Sequence, residues 1–300
     1  MAIPNFEQII QQARDSKKMT PASVACAEEE HVLEAVIRAW KEKIIQPWLV
    51  GDRDRIKALL KERDESFPDE FIVGADDKEK AAFKAVQLIR EGRAAYLIKG
   101  LIETSVIVRA LLNKETGLPT GRTLSHMSIT HIPGHRKLLV ITDAAIIISP
   151  DLSQKADIIQ NAVNGLRALG YDRPKVAVLT SIETVNPKMP ESVEAAELKK
   201  KWEAGEITGC CLEGPIALDL ALNAEAAAVK GYQSEVVGDA DILVMPNMVS
   251  GNILVKALRE FADSTSVGVV QGAGAPMVLS SRGASVRTKY TAVVVVSQMV

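Results

Sequence analysis

From residue 30 onward, amphipathic helical stretches alternate with short apolar runs. That alternation restricts the chain to α/β folds in which mostly parallel sheets carry helices on both faces. EHVLEAVIRAWKEKII (30 to 45) sets Val32, Ala35, Val36 and Trp40 at helical spacing, and PWLVGD follows as a strand stopped by Gly51. The pattern repeats through DRIKALLKER, FIVGADD, KEKAAFKAVQLIREGR and AAYLIKG to the helix TSVIVRALLNKE, for which Thr104 is the expected cap. TGLPTGR (116 to 122), with Gly117, Pro119 and Gly121, punctuates the chain and reads as a domain boundary. Beyond it, LSHMSITHIP and KLLVITDAAIII read as strands around a Gly134-His135 turn. A helix over 154–169, the strand KVAVLTS and a helix over 190–204 follow, then one helix over ALDLALNAEAAAVKG. The strand ADILVMP, a helix opened by Asn252 and the strand SVGVVQ complete two lobes.

Three hundred residues, 47% hydrophobic and 25% charged, supply a core for one large or two medium domains. A net charge of −2 gives no basic field for nucleic acid or an anionic membrane. MAIPNFEQII has neither the basic start nor the apolar run of a signal peptide, and AVVVVS (292 to 297) is far short of the roughly twenty residues of a membrane span. A cytoplasmic location is expected. Cys26, Cys210 and Cys211 lack metal or redox spacing and read as core residues. His126, His131 and His135 have no accompanying acidic cluster; they read as surface or turn residues, and no metal is expected.

Ligands of such folds sit at the carboxyl ends of strands, and four strand ends carry polar groups. The first is Lys99-Gly100, followed by Glu103, Thr104, Ser105 and Arg109. The second is Thr142-Asp143, a carboxylate in an apolar run that needs a partner and belongs either to an ion pair or to a site. Pro246-Asn247 through Gly251-Asn252 is the third. The fourth is GAGAPMVLSSRG, with Gly272 and Gly274 in the turn and Ser281-Arg282 in its tail. Only 17 residues follow Gly283 and none is acidic, so this glycine turn does not open a dinucleotide-binding unit. The lysine, arginines and hydroxyls together suit a phosphate-like anion, because the planar guanidinium fork grips two phosphate oxygens at once.

Collinear stretches extend this reading. YLIKGLIETSVIVRALLNKETGL, the run from LSHMSITHIPGHRK to ADIIQNAV, PKVAVLTSIETVNPKMPESVEA, GPIALDLAL, KGYQSEVVGDADILVMPNMVSGNILVKAL and GAGAPMVLSSRG occur in the order of the phosphate acetyl/butyryltransferase family. The chain resembles the butyryl branch more than the acetyl branch. The resemblance implies reversible transfer of a short acyl group between coenzyme A and inorganic phosphate, by a homodimer and with no cofactor beyond the substrate coenzyme A. It implies two α/β lobes related to isocitrate and isopropylmalate dehydrogenases: residues 1–120 plus 270–300, and residues 121–269, with the active-site cleft between them. It puts Ser281, Arg282 and Arg109 in the reaction, with Arg109 on phosphate. Lys99, Gly100, Thr104, Ser105, Asp143, Gly251, Asn252, Gly272 and Gly274 would bind substrate. It also calls for a closing helix over TAVVVVS, whose β-branched residues favour a strand; Val286, Tyr290, Val293, Val294 and Ser297 do share one helical stripe.

One departure stands out. Where the family carries carboxylates to activate the thiol, this chain has Ala284, Arg287 and Thr288. Asp143 or Glu183 could substitute, or the arginines alone could lower the thiol pKa. A non-catalytic binding paralogue and a metal-dependent dehydrogenase of the same fold are the alternatives.

Overall fold

The computed structural model describes residues 2–16, 18–281 and 283–300. It comprises two compact units, Phe6–Arg122 with Val267–Val300, and Met1–Asn5 with Thr123–Ser266. The first unit begins with α1 (Phe6–Asp15), β1 (Thr20–Ala25), α2 (Glu30–Lys41), β2 (Ile45–Gly51) and α3 (Arg53–Glu62). It continues through β3 (Ile72–Gly74), α4 (Lys78–Arg90), β4 (Tyr96–Lys99) and α5 (Thr104–Leu111). The second unit holds β5 (Ser125–His131), β6 (Leu139–Thr142), α6 (Leu152–Ala168), β7 (Lys175–Leu179) and α7 (Pro190–Glu203). After these come β8 (Cys211–Ile216), α8 (Leu218–Leu222), α9 (Ala224–Val229), β9 (Ile242–Val244) and α10 (Met248–Ala262). The chain then returns to the first unit through β10 (Thr265–Gln271), β11 (Met277–Val278) and α11 (Val286–Ser297).

The first unit's strands lie in the order β3-β2-β1-β4-β11-β10. All neighbours are parallel except β10 and β11, which pair Val269 with Val278 and Val270 with Met277 in antiparallel register. A two-residue strand such as β11 has too little sequence to announce itself. Burial decides α11. Every residue from Lys289 to Ser297 is buried, and burying a valine side chain yields about 1.5–3 kcal/mol. The helix-propensity deficit of valine is under about 0.7 kcal/mol. The helix therefore forms in spite of its β-branched run. Its backbone is tied into the unit as well: Tyr96 donates its hydroxyl to the Val293 carbonyl (3.1 Å), and Thr20 to that of Ser297 (3.3 Å).

The second unit has strand order β5-β6-β9-β7-β8, with β5 antiparallel to β6 and the others parallel. Three local expectations are corrected. The single helix expected over 217–231 is broken at Asn223, whose backbone is extended (φ −132°, ψ 108°) and whose side chain accepts the N–H groups of Glu225 and Ala226. An asparagine offered its own backbone partners leaves the helical conformation readily. Helix α10 opens at Met248, capped by Asn247, which accepts the Ser250 N–H at 3.0 Å; Asn252 lies in its second turn. In the first unit, Glu103 rather than Thr104 occupies the cap position of α5, and its side chain makes no capping bond.

In the second unit, Lys137 is 4% exposed and donates to the carboxylates of Asp241 and Asp239, and to the Asp239 carbonyl at 2.8 Å. Asp241, also 4% exposed, accepts the Lys175 N–H at 2.7 Å. Burial pushes the Asp239 pKa up, but hydrogen bonds and charge from Lys137 and Lys175 outweigh it and hold the group at about 2. Among the described residues no helix is long and apolar enough to cross a membrane. Breaking a buried ion pair from one side strands the other charge, at about 3–5 kcal/mol. Lys137→Met should therefore lower the unfolding free energy obtained from urea titration by about that amount; an unchanged value would remove the network from the stability of the unit.

Candidate active site

Strands β1, β4 and β11 run parallel, so their carboxyl ends open on one edge of the first unit. Two of them approach closely just past Lys99. Gly100 donates its N–H to the Ala25 carbonyl (2.9 Å), and Leu101 donates to that of Cys26 (2.9 Å). A Cβ on Gly100 would stand 2.0 Å from the Cys26 carbonyl oxygen, so only glycine fits without moving backbone. Cys26 itself takes a left-handed conformation, φ 53°, to end β1 there.

Above this crossing lies a cavity of about 340 Å³. Lys99 and Gly100 line it from the end of β4, Ser280 from beyond β11, and Lys289 from α11. Three helices begin at its wall: Glu29 caps α2, Lys78 is the first residue of α4, and Glu103 holds the cap position of α5. Helix N-termini carry partial positive charge and attract anions. Leu101 and Ile102 give the cavity an apolar flank.

The charges are paired in a defined way. Lys78 reaches both oxygens of Glu103, at 3.1 and 3.3 Å. Lys289 is 5% exposed; its ammonium group donates to the Ser281 carbonyl at 3.4 Å and lies 3.6 Å from Glu29. Glu29 also accepts the N–H groups of His31 and Val32 at the start of α2. Lys99 is 8% exposed. The Cys26 thiol, buried beside the end of β1, is pushed up to about 12 by burial and by the Glu28 charge, against Lys78 and Lys99. It stays a neutral thiol at physiological pH and offers no nucleophile.

Of the residues singled out in the sequence, Lys99 and Gly100 line this cavity. Thr104 and Ser105 are in the first turn of α5 and Arg109 is exposed in its last turn; none of the three is in the lining. Ser281 is exposed next to Ser280, and Arg282 lies outside the described residues. Gly272 (φ 105°) and Gly274 close on the chain's own backbone: Thr120 donates its hydroxyl to the Gly272 carbonyl, and Gly274 donates its N–H to that of Leu118 at 2.8 Å.

Asp143, Gly251 and Asn252 come together in the second unit. The Asp143 carboxylate accepts four backbone N–H groups, from His126, Ala145, Ile146 and Ile147. A Cβ on Gly251 would meet the Asp143 carbonyl at 2.6 Å, and Asn252 donates to the Ala144 carbonyl at 3.1 Å. The buried carboxylate thus finds N–H groups rather than a cation, and it orders the turn after β6. Beside the start of α10, a larger and more apolar cavity of about 490 Å³ is lined by Leu179, Met245, Asn247 and Leu254 among others. Glu183 is paired with Lys230 at 2.8 Å, and the Thr288 hydroxyl with that of the cap Ser285 at 3.0 Å. His126, expected at the surface or in a turn, is instead buried in β5, and burial lowers its pKa, outweighing the Asp143 charge that raises it. Among the described residues no group of three or more His, Cys, Asp or Glu side chains could hold a metal ion.

Sequence reading missed Glu29, Lys78, Ser280 and Lys289. Ser280 alone left a trace, beside Ser281 in the tail of GAGAPMVLSSRG.

A small cavity with three lysines, a serine and three helix starts, at the carboxyl ends of parallel strands, has the makings of a phosphate-handling enzyme site. Residues 75–297 match the family described as phosphate acetyl/butaryl transferase, and the chain belongs to this family of acyltransferase enzymes. It is 42% identical to the phosphate butyryltransferase of Clostridium acetobutylicum, over 97% of this chain and 96% of that one. It is 39% identical to the phosphate acetyltransferase of Thermotoga maritima, over 95% and 96% of the two chains. The crystal structure of a branched-chain phosphotransacylase from Enterococcus faecalis V583 is similar with a TM-score of 0.80 and 31% identity, covering 94% of this chain and 99% of that one. The match sets the dehydrogenase alternative aside.

Because Gly100 sits at the crossing that floors the cavity, Gly100→Ala should cost about 1–3 kcal/mol of stability through overpacking. Its effect on acyl transfer should exceed tenfold. Thermal unfolding and a CoA-release assay on the same preparation check both, and near-wild-type values in each would show that the floor yields freely.

Proposed function

We propose that this enzyme reversibly transfers a short acyl group, butyryl or one near it in size, between coenzyme A and inorganic phosphate, with acyl phosphate as the product. The observation that carries the reading is the cavity of the first unit, where Lys78, Lys99 and Lys289 meet Ser280 at the start of three helices. Three ammonium groups and three helix N-termini suit a phosphoryl dianion, and the flank of Leu101 and Ile102 suits a short alkyl chain. The identity to the butyryl relative is 42%, against 39% to the acetyl relative, which favours the longer acyl group only slightly.

In the proposed chemistry the thiolate of coenzyme A attacks the acyl-phosphate carbonyl, and phosphate leaves. Lys99 and Gly100 hold the phosphoryl group with Arg282 and Arg109, and Thr104 and Ser105 extend the contact. Ser281 donates to the tetrahedral oxyanion; loss of one such donor typically costs about 10²–10³ in rate. Holding both substrates together supplies much of the remaining acceleration. Gly272 and Gly274 act through the shape they give the turn after β10, and Asp143 with Gly251 and Asn252 through that of the turn after β6. The protein is proposed to be cytoplasmic, in keeping with three buried free cysteines. It is also proposed to be a homodimer: α10 buries only Gly251 and exposes Val249, Ile253 and Phe261, an apolar face suited to a second copy.

The test is phosphate-dependent release of coenzyme A from acetyl-, propionyl-, butyryl- and isobutyryl-CoA. A kcat/KM for butyryl-CoA about tenfold or more above that for acetyl-CoA is expected; the reverse order would overturn the butyryl assignment, and no release from folded protein the transfer itself. Arg109→Ala should raise KM for phosphate at least about tenfold while leaving that for acyl-CoA within about twofold. Equal losses would take Arg109 out of the phosphate site.

A further inference from the structure

We propose that Lys289 is a positioning residue: its ammonium group holds the backbone of Ser281 so that the serine hydroxyl meets the oxyanion of the acyl-transfer step. The proposal rests on the acyl-transfer reading above and adds to it what sets the serine in place. A donor stabilises a tetrahedral oxyanion best when it already stands about 2.7–3.1 Å from where that oxygen will be. Ser281 lies on the segment that joins β11 to α11, where residues 279–281 and 284–285 belong to neither helix nor strand. Such a segment needs ties from outside to hold a side chain to that tolerance.

The ties are visible. At one end Leu279 donates its N–H to the Gly268 carbonyl of β10 at 3.0 Å, and at the other Ser285 caps α11 by accepting the Thr288 N–H at 3.2 Å. Between them the Ser281 carbonyl oxygen takes two hydrogen bonds, from the Ala284 N–H at 3.1 Å and from the Lys289 ammonium group at 3.4 Å. The first is local and closes a turn. The second fastens the turn to a helix whose residues from Lys289 to Ser297 are all buried.

Lys289 is itself held. Its stem is enclosed while its ammonium group emerges in the cavity, and a buried cation requires partners to stay there. Glu29 stands 3.6 Å away. That carboxylate is fixed in turn by accepting the N–H groups of His31 at 3.3 Å and Val32 at 2.8 Å. The start of α2 thus places Glu29, Glu29 draws Lys289, and Lys289 secures the Ser281 carbonyl. Support of this kind is present before any substrate arrives, so the hydroxyl costs no reorganisation when the oxyanion forms. Without the tie the hydroxyl remains but is spread over many positions, and the rate falls with the share of them that reach the oxyanion.

A residue that acts through another loses its effect once that other is gone, and a double-mutant cycle reads this directly. The quantity to follow is the single-turnover rate constant from acyl phosphate to acyl-CoA with both substrates saturating, so that weaker binding does not enter. Ser281→Ala should lower it about 10²-fold. Lys289→Met, which keeps an apolar stem, should lower it about tenfold in the wild type but no more than about twofold beside Ser281→Ala. Glu29→Gln can still accept the N–H groups of α2. It should cost about fivefold alone and less than about twofold beside Ser281→Ala, and it carries the same test if Lys289→Met does not fold. Losses that multiply in the double variants overturn the proposal, because a loosened helix or a direct hold on phosphate acts whether or not the hydroxyl is present. A wild-type rate in Ser281→Ala or in folded Lys289→Met overturns it as well. A folded wild type that transfers no acyl group overturns the acyl-transfer reading, and the role of Lys289 with it.

Discussion

The burial of α11 is the constraint on which the first unit depends. Nine consecutive residues, Lys289 to Ser297, are removed from solvent. Their neighbours, α1, α2, β4 and β11, come from widely separated stretches of chain. The valines satisfy the demand for apolar surface, but the buried stretch begins with a lysine that has no place in an oil-like core. Lys289 is tolerated because its ammonium group emerges in the cavity, against Glu29 and the Ser281 carbonyl. Packing and chemistry are thus set by one helix: the valine face holds it in place, and the first turn brings a cation to the carboxyl ends of the strands.

The cavity below follows from a second restriction, the absence of a side chain at Gly100. With β1 and β4 this close, the chain past each strand must turn away at once, Cys26 by a left-handed residue and Gly100 by lacking Cβ. What remains above the crossing is a hollow lined by side chains from helix starts. Three lysines and two glutamates share it among the described residues, so much of its positive charge is already offset by carboxylates. An entering dianion must compete with Glu29 and Glu103 for the lysines, which favours ligands of high charge density over weakly charged ones.

Much of this was legible in the sequence, and the limits are physical. Alternation of helix and strand periods yielded the class of fold, because each element buries a face whose spacing is local. Even α11, written in strand-like residues, was readable from the stripe joining Val286, Tyr290 and Val294. The strand-end rule led to Lys99 and Gly100, whose neighbourhood lies within a few residues. Lys78, Glu29 and Lys289 were not legible, since their convergence depends on chain closure over more than two hundred residues and a lone lysine or glutamate reads as surface. Asp143 was misleading for a related reason. Its burial was foreseeable, but whether backbone N–H groups or a cation would answer it is decided by the turn that follows. Asn223 shows the same limit at short range: its side chain captures two N–H groups and cuts a helix that composition alone would extend.

The route of the chain also bears on the order in which the protein assembles during synthesis. Every segment of the second unit has been made once residue 266 is added, whereas the first unit still lacks most of β10 and all of β11 and α11. Domains generally fold as units during synthesis, so the second unit can close while the ribosome is still completing the first. Until then the apolar surfaces of α2 and β4 that α11 covers stand open. Of the two units, the one whose strands β1 to β4 are made early is the last to be completed, and during that interval its apolar faces are the uncovered ones.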